Sequence, residues 1–164
     1  MEQKFTYSVF TKPWKIPLPK LGKLVKSLGF DGVELPVRPG YQVAPENVTK
    51  GLPRAARILA DCGVKICSVA GPTDEATIAA CAKAGVPVIR ICMGIEGTRY
   101  LAEEIRLQKE CDALVPLLQR YGVTLGIQNH CGRSIANAMQ LRRFLEKYDP
   151  DVIGAEGKSC GGRS

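Results

Sequence analysis

Residues 114–130 have the sequence LVPLLQRYGVTLGIQNH, and this stretch decides the class of fold. An amphipathic segment ends at Gly122, and glycine is the residue that most readily adopts the left-handed conformation that follows a helix. The apolar run after Gly122 is short and contains β-branched residues, as strands buried on both faces do. The stretch therefore predicts a helix followed directly by a buried strand.

The same pattern occurs three more times toward the N-terminus. A glycine precedes each of the runs FDGVELPV (30–37), VKICSVAG (64–71) and VPVIRICMG (86–94). The segments between the runs have apolar residues at helical spacing, and Thr73, Thr98 and Ser134 stand at predicted helix N-caps. Strands that alternate with helices indicate an α/β protein with a parallel sheet. The predicted strands are residues 4–10, 32–37, 64–70, 87–93, 123–128 and 152–155.

Length and composition are those of one globular domain. The chain has 164 residues, of which 45% are hydrophobic and 24% charged. It contains no run of roughly 20 apolar residues, so a membrane span is not expected. The N-terminus lacks the apolar block of a secretory signal, which predicts a cytoplasmic protein.

The net charge of +7 raises the question of an anionic partner. Nucleic acid is not the expected partner, because the basic residues are dispersed and are not interleaved with aromatic residues. The simplest interpretation of the charge is a solvated basic surface. The second interpretation is a binding site for an anionic or phosphorylated small molecule.

The seven cysteines form no C-x-x-C pair and match neither a zinc site nor a disulfide framework. Reduced thiols are therefore predicted. Cys67 and Cys92 stand in apolar runs and are expected in the core, whereas Cys131 and Cys160 are exceptions.

Two α/β architectures compete at this length. A doubly wound open sheet accommodates five or six strands, but no G-x-G-x-x-G or G-x-x-x-x-G-K-[ST] follows any predicted strand. An eight-stranded barrel usually needs about 250 residues.

Polar side chains at the ends of the predicted strands are the candidates for chemistry, since functional groups of parallel sheets collect there. They are Trp14, Glu34, Arg90, Gln128, Asn129 and His130. Because an unpaired buried charge costs several kcal/mol, Glu34 is either a site residue or the partner of Arg90 in an ion pair. Both interpretations stay open on the sequence.

Four segments in the correct order resemble the xylose-isomerase-like superfamily, the sugar phosphate isomerase/epimerase proteins that are grouped with family 2 AP endonucleases. They are FDGVEL (30–35), GVPVIRIC (85–92), the stretch at 114–132, and LRRFLEKYDPDVIGA (141–155). The resemblance implies a parallel (β/α) barrel of TIM type, with strands 1–5 and the start of strand 6. The predicted organisation is a partial barrel over residues 1–155 and a disordered glycine-rich tail over residues 156–164.

The resemblance also implies a divalent metal, Mn²⁺ or Mg²⁺, at the carboxyl ends of the strands, where it assists proton transfer through an enediol on a small carbohydrate. Glu34 and His130 are then the expected catalytic residues, and Trp14, Arg90 and Asn129 the expected substrate-binding residues. Gln128 occupies the metal-binding position at which the family has glutamate. Its amide has no charge, so weakened metal binding is expected.

The residues after Ala155 also depart from the family, which has D-x-x-H near this point. A truncated barrel is therefore expected, inactive by itself, with exposed sheet edges that favour self-association or a complementing fragment. Three alternatives remain: a non-catalytic assembly module, an AP-endonuclease-like phosphodiesterase and a non-functional gene remnant. The single histidine argues against the phosphodiesterase.

Overall fold

A computed structural model describes residues 5–156, in which strands and helices alternate. A short 3₁₀ turn, Pro45–Asn47, leads into the second helix. The elements are β1 (Ser8–Phe10), α1 (Leu18–Ser27), β2 (Gly32–Pro36), α2 (Val48–Ala60), β3 (Lys65–Ala70), α3 (Glu75–Ala84), β4 (Val88–Cys92), α4 (Tyr100–Tyr121), β5 (Thr124–Gln128), α5 (Ala138–Leu145) and β6 (Ile153–Ala155).

The sheet has the strand order β1-β2-β3-β4-β5-β6, and every neighbouring pair is parallel. The predicted parallel α/β class is therefore confirmed. A doubly wound sheet reverses its strand order at a switch point, which this order excludes. With the right-handed crossovers that parallel strands require, this order places the helices on one face, as in a TIM-type barrel. The described residues provide six of the eight strands of such a barrel.

The hydrophobic core lies between the sheet and its helices. Leu125 and Ile127 of β5 are fully buried, and the neighbouring helix α4 contributes Leu107, Cys111 and Leu118. Because side chains alternate along a strand, Gly126 and Gln128, which follow Leu125 and Ile127, belong to the opposite face of the sheet. That inner face is where the polar side chains collect.

Helix ends agree with the predicted glycines but not with the predicted N-caps. Gly85 and Gly122 follow α3 and α4 with φ of 68° and 63°, a conformation that favours glycine. The N-caps at Thr73 and Ser134 are wrong: Asp74 accepts a hydrogen bond from Thr77 N (2.9 Å), and Asn137 accepts one from Gln140 N (3.0 Å). Arg99, rather than Thr98, precedes α4. In each case the helix begins one to three residues later than the hydroxyl suggests.

The six cysteines within residues 5–156 are thiols with different environments. Cys67, Cys81 and Cys111 are buried, and burial raises the pKa of Cys81 and of Cys111 to about 12. The expected core position of Cys92 is wrong, because its side chain is exposed at the end of β4. Cys131 is also exposed.

The predicted tail falls mostly outside the described residues. Residues 157–164, with Cys160, lie outside them, whereas Glu156 lies within. Between residues 5 and 156, no helix has both the length and the apolar character needed to cross a membrane.

Candidate functional site

The inner face of the sheet encloses a cavity of about 920 Å³. The strands contribute alternate residues to it, for example Val88, Arg90 and Cys92 of β4. Other residues with side chains or backbone on its wall are Ser8, Phe10, Lys12, Glu34, Arg38, Ser68, Thr124, Gly126, Gln128, His130 and Glu156. A cavity with charged groups at the carboxyl ends of parallel strands is the expected place for a ligand in this architecture.

An ion pair between Glu34 and Arg90 occupies the middle of the cavity. Arg90 Nη2 donates to Glu34 Oε1, Arg90 Nε lies 3.4 Å from Oε2, and Ser68 Oγ donates to Oε2 at 3.0 Å. The guanidinium also lies 4.8 Å from the centroid of the Phe10 ring. Burial alone would raise the pKa of Glu34, but hydrogen bonds from Arg90 and other neighbours hold it below its ordinary value. The ion pair left open by the sequence is therefore present.

Glu156 completes this cluster, although its position in the sequence predicts that it belongs to the tail. Its backbone N donates to Ile127 O (2.9 Å), which places residue 156 beside the end of β5. Its Oε2 lies 3.4 Å from Arg90 Nε. A Cβ at Gly126 would lie 3.6 Å from Glu156 Cβ, an ordinary contact distance, so Glu156 lies directly beside the inner face of β5. The signal available in the sequence was the alternation along the strand, which places Glu156, one residue beyond β6, on the same face as Gly154.

The two carboxyl groups divide one proton between them. Burial is the main cause that raises the pKa of Glu156 to about 8, and the hydrogen bond with Glu34 and its negative charge raise it further, against the attraction of Arg90. At neutral pH Glu156 is therefore mostly protonated and Glu34 is ionised. The cavity thus holds a proton donor, a carboxylate and a guanidinium in contact.

The raised pKa of Glu156 predicts a pH-dependent stability. The pKa in the folded chain, about 8, exceeds the ordinary 4.5, so the stabilising contribution is complete below pH 4.5 and is lost as the pH rises through 8. We expect Glu156→Gln to remove this decline in the free energy of unfolding, measured by urea denaturation between pH 5 and pH 9. Glu46→Gln, at an exposed site, is the matched control. Parallel pH profiles of the wild-type and Glu156→Gln chains would contradict the prediction.

Four of the six residues singled out by the sequence contribute to the cavity, namely Glu34, Arg90, Gln128 and His130. Trp14 is outside its lining: the ring packs against the hydrophobic core, and the carbonyl accepts a hydrogen bond from Gln42 Nε2 (2.7 Å). Asn129 is outside it as well, with Nδ2 directed to Ala136 O at 3.4 Å. Their predicted substrate contacts remain predictions.

The mouth of the cavity combines Gln128, Cys92 and His130. Cys92 Sγ lies 3.6 Å from Gln128 Oε1 and 3.8 Å from Arg90 Nη1. His130 is exposed, and its Nδ1 lies 2.9 Å from the carbonyl oxygen of Cys131. The imidazole is therefore accessible from solvent at the carboxyl end of β5.

The donor set does not fit Mn²⁺ or Mg²⁺ by itself. Over residues 5–156 no three His, Cys, Asp or Glu side chains are grouped for a metal. Gln128 offers a neutral amide oxygen, and the carboxylate of Glu34 is already paired with Arg90. Hard divalent cations need several oxygen ligands, usually with carboxylates among them. The guanidinium instead supplies the positive charge between the two carboxyl groups.

Solved structures with this fold include several carbohydrate enzymes. A xylose isomerase domain protein from Planctomyces limnophilus has a TM-score of 0.71 at 12% identity, over 94% of this chain and 63% of its own. D-psicose 3-epimerase from Clostridium cellulolyticum, solved with D-tagatose, has a TM-score of 0.68 at 13% identity, over 94% and 66%. 3-Keto-D-glucoside 4-epimerase from E. coli has a TM-score of 0.67 at 14% identity, over 88% and 64%. Such identities show the fold alone.

The chain spans somewhat less than two thirds of the length of these solved structures. No curated protein sequence is significantly similar to it. A family model described as xylose isomerase-like TIM barrel matches residues 23–156, which include β2 to β6 and the cavity residues from Glu34 to Glu156. With this match and the sequential parallel sheet, the chain belongs to the xylose isomerase-like TIM barrel family.

Proposed function

We propose that this chain binds a small carbohydrate in the cavity and is a homologue of sugar isomerases and epimerases, whose reaction moves a proton next to a carbonyl through an enediol. The observation that carries the proposal is the cluster Glu34–Arg90–Glu156, which places a protonated and an ionised carboxyl group beside a guanidinium. The isomerases and epimerases among the solved structures with this fold support the carbohydrate as substrate class.

The cluster suits the two proton movements of this reaction. A base removes a proton from the carbon next to the carbonyl while an acid gives a proton to the carbonyl oxygen, so that the product is a neutral enediol. In our proposal His130 is the base, Glu156 is the acid, and Glu34 accepts the hydrogen bond that holds the Glu156 proton in place. Arg90 stabilises the negative charge that develops on the carbonyl oxygen. Reversal of the steps at the other carbon gives the isomer: protonated His130 returns its proton to that carbon, and Glu156 takes the proton of the hydroxyl group that becomes the new carbonyl.

Binding and proton transfer are tested separately. Calorimetric titration of the full chain with a panel of ketoses and aldoses measures binding, and NMR in D₂O measures deuterium incorporation next to the carbonyl. We expect binding of at least one ketose and a loss of deuterium incorporation in His130→Gln with binding retained. Gln119→Ala, exposed on α4, is the control. The absence of binding across the panel would contradict the proposal.

Gln128 leads to a prediction about the metal. Because the amide carries no charge, we expect weak Mn²⁺ binding by the wild-type chain. A carboxylate at this position adds a unit charge whose attraction to a nearby cation is on the order of several kcal/mol before screening. We therefore expect Gln128→Glu to bind Mn²⁺ roughly tenfold more tightly or better, measured by the electron paramagnetic resonance of free Mn²⁺.

Gln128→Asn keeps a neutral amide and is the matched control for this prediction. Its Mn²⁺ affinity should remain as weak as that of the wild-type chain. If Gln128→Glu and Gln128→Asn bind the metal equally, residue 128 does not contribute to a metal site.

A second candidate function is a non-catalytic module that pairs with another chain. It is favoured by the edges of the sheet: within the described residues β1 pairs only with β2 and β6 only with β5. Phe5 and Tyr7, beside β1, are 56% and 64% exposed. Unpaired edges beside exposed apolar residues favour association. Light scattering that shows a monomer at the highest soluble concentration would remove this candidate.

A further inference from the structure

The cavity contains two cations that its carboxyl groups do not neutralise. The basic residues in its lining are Lys12, Arg38 and Arg90, and the acidic residues are Glu34 and Glu156. Arg90 is paired with Glu34, and Glu156 Oε2 also lies near Arg90, 3.4 Å from its Nε. Within the described residues, neither Lys12 nor Arg38 has a side-chain hydrogen bond or ion pair.

The backbone places these two cations after adjacent strands of the sheet. Lys12 follows β1 and Arg38 follows β2, and the two strands are paired with Phe10 opposite Glu34. Thr11 N and Thr11 Oγ1 both donate to Glu34 O at 3.1 Å, which ties the end of β1 to β2. Both residues line the cavity and follow the carboxyl ends of adjacent strands, which define one corner of it.

A third cation lies near this corner. Lys15 Nζ is 4.5 Å from the centroid of the Tyr41 ring, in the loop that begins at Arg38. Like charges brought together repel one another unless an anion lies between them. The loops after β1 and β2 therefore create a positive potential at one side of the mouth, while the proton-transfer cluster lies deeper in the cavity.

From this arrangement we propose that Lys12 and Arg38 form a subsite for the phosphate group of a phosphorylated sugar, with the sugar extending inward toward Arg90. The inference rests on the proposed function and specifies its substrate class. A phosphate monoester carries between one and a half and two negative charges at neutral pH, which matches two monovalent cations. The guanidinium suits two phosphate oxygens at once, and the ammonium acts as a point charge. Because Glu156 is mostly protonated, the inner part of the cavity repels an anionic ligand only weakly.

Paired ligands test the inference on the full chain. Calorimetry compares fructose 6-phosphate with fructose, and inorganic phosphate and gluconate are measured beside them. We expect fructose 6-phosphate to bind about tenfold more tightly than fructose, or better, since hydrogen bonds to charged groups are the strong ones. The difference should shrink with added salt because the mouth is open to solvent.

Two double variants locate the effect. Lys12→Met with Arg38→Met should bring the affinity for fructose 6-phosphate to within about twofold of that for fructose, a difference too small for a charge-assisted contact. Lys20→Met with Lys23→Met removes the same charge from exposed positions outside the cavity and should leave the preference intact.

The possible results distinguish a failure of the phosphate subsite from a failure of the proposed carbohydrate binding. Equal affinities for fructose and fructose 6-phosphate in the wild-type chain would overturn the phosphate subsite and leave the carbohydrate proposal standing. Gluconate binding as tightly as fructose 6-phosphate would also overturn it, in favour of a carboxylate. If no sugar binds but inorganic phosphate binds and is lost in the Lys12/Arg38 variant, the subsite stands and the proposed function fails.

Discussion

Arg90→Met is expected to lower the free energy of unfolding by about 3–5 kcal/mol, the usual cost of removing one partner from a buried ion pair. Glu34 and Arg90 are each only 9% exposed in their side chains, so water compensates little for the lost partner. Without the guanidinium, the carboxylate of Glu34 would face the carboxyl group of Glu156 with no positive charge between them. Urea denaturation at neutral pH measures the effect.

Two further variants show whether the loss of unfolding free energy comes from the unpaired charge of Glu34. Glu34→Gln combined with Arg90→Met removes both charges, and we expect it to recover most of the stability, because neutral replacements of a buried pair are often well tolerated. Arg120→Met breaks an exposed pair with Glu75, whose side chains are 68% and 55% exposed, and should cost no more than about 1 kcal/mol. An Arg90→Met chain as stable as Arg120→Met would show that the cavity is wetter than its geometry implies.

Phe144→Ala is the second large effect and should also cost about 3–5 kcal/mol, the range for truncating a buried aromatic residue. Phe144 is fully buried, and its ring centroid lies 5.8 Å from that of Tyr148. It belongs to α5, the helix packed against β6, and β6 leads directly into Glu156. The cavity left by the ring should therefore loosen the strand that positions the acid of the site.

Met139→Ala is the control on the same helix, since Met139 is 74% exposed and should contribute little. Besides stability, the pH profile of Phe144→Ala is informative. If β6 loosens, Glu156 gains water, its pKa falls toward the ordinary value, and the decline of stability with rising pH becomes shallower. A Phe144→Ala chain that loses less than the Met139→Ala chain would contradict the role of α5 as the anchor of β6.

The strands were predictable because their signals are local. A glycine after an amphipathic segment and a β-branched run marks each strand from β2 to β5 in the sequence itself. Of the predicted strand 4–10, residue 4 lies outside the described residues, and β1 comprises only Ser8–Phe10. Within the described residues β1 has a single neighbouring strand, so fewer backbone groups are paired there than the apolar pattern suggests.

The candidate site was predictable only in part. Glu34 and Arg90 were conspicuous because charges inside apolar strands require a partner, and the structure pairs them. Glu156 was not, because nothing local distinguishes a glutamate beyond a short final strand from a residue of a tail. Trp14 was a candidate because it follows the first predicted strand, yet its ring packs against the core outside the cavity lining.

The sequence by itself determined the parallel α/β class, the order of the elements and the residues with charges that need partners, because each follows from periodicity along the chain. The tertiary structure decided the sequential strand order, the accessible position of Cys92 and the meeting of Glu34, Arg90 and Glu156. These depend on which strands become neighbours and on which face each side chain meets the others. Residues separated by more than fifty positions meet only because the sheet brings β2, β4 and the end of β6 around one cavity.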